Sequence, residues 1–87
     1  MVYVSNVFPC MRTKKWRYDQ VAYMVADTTA ELHLEAAKLG LRRTWYTGSY
    51  YNLTKLRHRI ALRRGAKLID NITEFTDITR RMIDGTR

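Results

Sequence analysis

Hydrophobic and polar positions alternate at the start of the chain and then change period. Residues 2–7 are rich in β-branched and aromatic side chains, with Val2 and Val4 on one side and Tyr3 and Ser5 on the other, which predicts a strand. Pro9 is expected to end it, because proline lacks the N–H that a ladder needs. Residues 10–20 are polar without a clear period and read as a loop. Residues 21–26 (VAYMVA) are almost continuously apolar, as in a central strand covered on both faces. A helix over 29–39 follows, with Thr28 and Glu31 spaced as a capping box, Asp27 at the positive end of the helix dipole, and Leu32, Ala36 and Leu39 as one stripe. Gly40 suits a left-handed residue after the helix.

Beyond Gly40, residues 41–46 read as a third strand, parallel to the second through a right-handed crossover. Gly48 and Ser49 mark a turn. A second helix is predicted from about Leu53, with Asn52 as its cap and Leu53, Leu56, Ile60 and Ala61 facing inward. Gly65 closes it, and 66–70 (AKLID) form a fourth strand. A third helix starts at the cap Asn71, buries Phe75, Ile78 and Met82, places Asp77 and Arg81 one turn apart as a pair, and ends at Gly85. Residues 84–87 are expected to fray. The sum is a small α/β domain spanning 1–87. It has a mixed, partly parallel sheet of about four strands and two to three helices packed on it.

Length bounds this reading: 87 residues make one domain that buries only about 60% of its unfolded surface. Cys10 is the single cysteine, so an intramolecular disulfide and a Cys-rich zinc site are excluded. The start lacks a basic region followed by an apolar run, and no stretch approaches the roughly 18 apolar residues of a membrane span. A cytoplasmic protein without a membrane partner is expected.

Charge adds the functional signal. The formal net charge is +8, which attracts polyanions. Eight of the sixteen Lys and Arg residues lie in 41–67, a stretch without Asp or Glu that also holds Trp45, Tyr46, Tyr50 and Tyr51. Arg42, Arg43, Lys55, Arg59, Arg63 and Arg64 are candidate phosphate contacts. Tyr50 and Tyr51, just before the second helix, are candidate stacking rings for unpaired bases. Arg57 and Arg64 lie near the apolar stripe of that helix, so they bury their stems or find a carboxylate. His58 is counted with the basic face. Lys14, Lys15 and Arg17 surround Trp16 in a secondary basic loop, where Trp16 either stacks on a ligand or closes the core edge.

Other chemistry is thin. No phosphate-binding glycine loop, metalloprotease helix, paired CxxC or nucleophile elbow occurs. Asp27 and Glu31 are explained by capping, Glu35 is one turn on, and His33 lies off the apolar stripe. Cys10 reads as a small, buried apolar residue. No catalytic residue, metal site or cofactor is assigned.

The order of short motifs resembles the family of small bacterial and phage proteins called domain of unknown function 4031. The matching residues are Val2-Tyr3-Val4, Met24 to Asp27, Glu31-Leu32-His33 and Leu39-Gly40, then Trp45, the Tyr51 region with Leu53-Thr54, and Gly65-Ala66. In relatives an acidic residue often follows the first motif, a His precedes the second, and a His-Tyr-Asp triplet precedes the second helix. Here Ser5, Tyr23 and Tyr50-Tyr51-Asn52 stand there, so any metal or acid–base set built on them has been lost apart from Asp27 and His33. The resemblance implies a phage or bacterial protein without an assigned activity. The expectation is a non-enzymatic accessory protein that binds nucleic acid through its basic-aromatic face. The alternatives are an inhibitor module that turns that face toward an acidic host protein surface, and a small metal-dependent enzyme using Asp27 and His33. Homo-oligomers formed through an edge strand are compatible with each.

Overall fold

Strand β3 (Gln20–Ala26) is the axis of the fold. The computed structural model describes residues 1–85, so only Asp84 and Gly85 of the segment expected to fray are within reach. Around β3 are β1 (Val2–Ser5), β2 (Phe8–Pro9), β4 (Tyr51–Leu53) and β5 (Lys67–Ile69), with helices α1 (Thr29–Lys38), α2 (Lys55–Arg63) and α3 (Ile72–Asp84). The result is a mixed five-stranded sheet with three helices, a small α+β fold.

β1, β2 and β4 are antiparallel to β3, and β5 is parallel to β1. Between the pairs Val4↔Met24 and Phe8↔Val21 the first strand advances four residues and β3 three, the count of a β-bulge. Ser5 fills the gap in the ladder: its hydroxyl accepts from the Tyr23 N–H at 2.8 Å and donates to the Asn6 carbonyl at 3.0 Å. The strand region ends at Pro9 as predicted, but beyond the bulge, in a two-residue strand where Pro9 pairs with Gln20.

Alternation along β3 sends Ala22, Met24 and Ala26 to one face and Tyr23 and Val25 to the other. Tyr51, register partner of Met24, meets His33 of α1, which places α1 over the first face. α2 lies beside α1: Arg57 Nε donates to the Leu39 carbonyl at 3.2 Å, and Arg64 Nε holds Glu35 at 2.6 Å. α3 covers part of the second face, with Phe75, Ile78 and Met82 buried as predicted. Val4, Met24, Leu32, Tyr51 and Leu53 are among the most deeply buried side chains.

Several expectations are corrected. Residues 41–46 are not a strand. Gly40 (φ +77°) sends the Leu41 N–H back to the Ala36 carbonyl, Leu41 is buried, and the polar run after it coils into a 3-10 turn, Arg43–Trp45. The strand after α1 is instead β4, antiparallel to β3, so the parallel crossover predicted there does not exist. The second helix begins later than predicted. Tyr51 and Leu53 alternate inward around Asn52, which makes them strand residues, and the Thr54 hydroxyl caps α2 by accepting from the Arg57 N–H at 3.2 Å. Its inward stripe shifts accordingly: Ala61 is buried, whereas Leu56 is 64% exposed and Ile60 37%. Arg81 Nε donates to the main-chain carbonyl of Asp77. The caps at Thr28 and Asn71 match the sequence reading.

Candidate nucleic-acid interface

Two stretches that are distant in sequence meet beside β4. The first is the loop between β2 and β3. It is closed at its base by the Cys10 N–H bonding to the Asp19 carbonyl at 2.9 Å, and tightened at its tip by the Trp16 N–H on the Thr13 hydroxyl at 3.0 Å. Trp16 Nε1 donates to the Gln20 carbonyl at 3.2 Å, and its ring meets Tyr18 edge to face at 5.3 Å. These contacts satisfy the indole donor and leave the rings half-buried at Trp16 and exposed at Tyr18. Lys14, Lys15 and Arg17 are exposed around them.

The second stretch is the 3-10 turn. It is anchored by buried Leu41 and raises Trp45 to 48% exposure. The guanidinium of Arg42 lies 5.8 Å from the Trp45 ring centre and that of Arg57 6.0 Å, so two cations attend the ring. A groove of about 510 Å³ runs between the stretches, lined by Lys15, Trp16, Tyr18, Thr44, Trp45, Tyr46, Asn52 and Arg57 among others. Both tryptophans of the chain face it, and no Asp or Glu lines it among the described residues. Such a groove offers aromatic faces and positive charge at once.

The predicted contact residues divide. Lys15 lines the groove, Arg42 stands beside its Trp45 ring, and Arg43 is exposed in the 3-10 turn. Lys55, Arg59 and Arg63 are exposed on α2, but at 100° per residue they face away from Arg57 and form a separate patch. Arg64 is engaged by Glu35, whose carboxylate raises its pKa, so it serves the α1–α2 contact. The Tyr50–Tyr51 stacking pair does not form. Tyr51 is 1% exposed, and Tyr50, half-buried, packs on Tyr23 at 4.2 Å on the other face of the sheet. His58 does not belong to a basic face either: it is half-buried, with Nε2 at 2.8 Å from the Ser5 carbonyl.

Sequence reading missed Tyr18, Trp45 and Arg57 as groove residues. Trp45 looked like a core residue of a strand. The available signal was the spacing of Arg42 and Trp45, three residues apart, which a helical turn stacks one over the other.

Asp27 and Glu31 are occupied elsewhere. Asp27 accepts from the Tyr3 hydroxyl at 2.9 Å and pairs with the Met1 amino group, contacts that hold its carboxyl below the usual value. Glu31 pairs with the same amino group. His33 Nδ1 is 2.7 Å from the Tyr51 hydroxyl, and burial, with Arg43 nearby, lowers its pKa. Among the described residues no group of three or more His, Cys, Asp or Glu side chains is placed to hold a metal. Cys10 is half-buried, its thiol 3.6 Å from the Tyr18 carbonyl. No helix among the described residues is long and apolar enough to cross a membrane.

The departures from the family resemblance also converge. Ser5, Tyr23 and Tyr50 line a second cavity of about 580 Å³, on the face of the sheet that α3 only partly covers. Burial raises the Tyr23 pKa, and Tyr50 beside it adds to the shift.

Comparison with known sequence families matches the chain to the family described as protein of unknown function (DUF4031), over residues 2–82. Neither the curated proteins nor the solved structures give a match.

Proposed function

The chain belongs to the DUF4031 family, and on that premise we propose that it is a non-enzymatic accessory protein of phage or bacterial cytoplasm that binds single-stranded nucleic acid in the groove between Trp16 and Trp45. The observation that carries this reading is the exposed Trp45 ring with Arg42 and Arg57 beside it, across the groove from Trp16 and Lys15. Unpaired bases stack on such rings, and the flanking cations take the phosphates. Nothing in the groove selects one base, so the binding is sequence-tolerant, with backbone charge as its main term. Lys14, Arg17 and Arg43 extend the positive rim, while the α2 patch of Lys55, Arg59 and Arg63 adds long-range attraction.

Both tryptophans report on the groove, so intrinsic fluorescence provides the assay. Titration with a short single-stranded oligonucleotide quenches the emission, and the affinity falls steeply between about 50 and 200 mM salt, with a slope near −0.7 per phosphate contacted. Trp45→Ala weakens binding by about 1–3 kcal/mol. Polyglutamate, which carries charge without bases, separates this reading from an acidic protein partner. If it competes as well as the oligonucleotide, or if the affinity is insensitive to salt, the nucleic-acid reading is lost.

A further inference from the structure

The second cavity, which does not depend on the nucleic-acid reading, has a chemistry of its own. Its walls are apolar and aromatic: Phe8, Tyr23, Tyr50, Ile69 and Phe75, with Phe8 meeting Tyr23 edge to face at 5.0 Å. It opens where the parallel strands β1 and β5 end and α3 begins, the crevice at strand carboxyl ends where open α/β sheets bind ligands. Its volume of about 580 Å³ is in the range of small-molecule sites.

Charge selects the ligand. Although the chain carries a net +8, no described Lys or Arg lines this cavity, and its one ionisable carboxylate, Asp70, enters no ion pair among the described residues. Two polar side chains of the lining, Thr76 and Thr79, lean the same way. Thr76 and Thr79 donate their hydroxyl protons to the Ile72 and Phe75 carbonyls at 2.8 and 2.9 Å, which leaves oxygen lone pairs as acceptors. The Ser5 hydroxyl is committed to the bulge. At the mouth, Ile72 is 82% exposed on the first turn of α3, an apolar side chain that a bound molecule would cover.

We propose that this cavity binds a small organic cation with an aromatic or apolar body, its ammonium group at Asp70 and its body against Phe8, Tyr23 and Tyr50. The rings pack on the apolar body, while the Asp70 carboxylate attracts the ammonium and repels an anion.

Three probes that share an indole-ethyl body test the assignment: tryptamine, the neutral tryptophol, and indole-3-propionate. Each is added to the 15N-labelled chain and followed by amide correlation spectra. Tryptamine is expected to shift the amides of Ser5, Tyr50, Asp70 and Ile72. Tryptophol is expected to bind about tenfold more weakly, and the anion more weakly still. Asp70 is exposed, so Asp70→Asn keeps the fold; its unperturbed spectrum verifies this, and the preference for tryptamine over tryptophol disappears. Equal affinity for tryptamine and tryptophol in the parent chain overturns the proposal. So do shifts confined to the Trp16–Trp45 groove, no binding at millimolar probe, or shifts of the cavity amides with protein concentration alone, which would assign the cavity to a second copy of the chain.

Discussion

Tyr50 and Tyr51 are adjacent and end on opposite faces of the sheet, because successive residues of a strand point opposite ways. That one step separates a wall of the second cavity from a partly buried bond to α1. The bond makes His33 a pH sensor of the fold. With Nδ1 unprotonated it accepts the Tyr51 hydroxyl proton; protonated, it no longer can. Its pKa lies below the ordinary 6.5, so near pH 6 the unfolded chain holds more protons than the folded one. The sign follows: this contribution is complete above about pH 6.5 and is lost as the pH falls from there through the folded pKa. The urea midpoint should therefore drop between pH 7.5 and 5.5, and His33→Gln should remove that part of the drop. Asp27, whose carboxyl is held below its ordinary 3.8, responds only in more acidic solution and leaves this window clear.

α2 carries its information in its ends more than in its face. Thr54 holds the first turn, and Gly65 (φ +99°) lets the Ala66 N–H return to the Ala61 carbonyl at 3.0 Å. Thr54→Ala should cost about 1 kcal/mol in denaturant unfolding, whereas Asn52→Ala removes no cap. The face makes a second comparison. Ala61 is fully buried against the sheet, so Ala61→Leu overpacks it and should cost about 1–3 kcal/mol; Leu56→Gln, at a site 64% exposed, should stay within about 0.5 kcal/mol. Reversed magnitudes would restore the inward Leu56 stripe that periodicity suggested.

The whole molecule separates its chemistry by face and edge. The aromatic, cationic groove lies by β4 and the loop before β3, and β5 lies on the other side of β1 with Lys67 exposed. Charge counting alone cannot distinguish Lys15 from Lys67, but position can. Lys15→Ala and Arg42→Ala should each reduce the magnitude of the salt slope for single strands by about 0.7, while Lys67→Ala leaves it unchanged within error. Equal effects at all three sites would mean diffuse attraction to a charged sphere and no groove.

Local rules were enough for the elements whose cause is local. The apolar run of β3, the caps at Thr28 and Asn71, the glycines after α1 and α2, and the Phe75–Ile78–Met82 stripe each depend on residues within a few positions of one another. The errors fell where the cause is distant. Residues 41–46 become a turn because Leu41 is drawn into the core behind Gly40, and 51–53 become a strand because β3 offers them a ladder. The basic, aromatic character of 41–67 and of the loop at 14–17 was readable from composition, but which of those side chains share a groove was not. That depends on which long-range contacts bring them together, since a charge keeps its sign anywhere in the chain while its neighbours are chosen by the packing of the sheet.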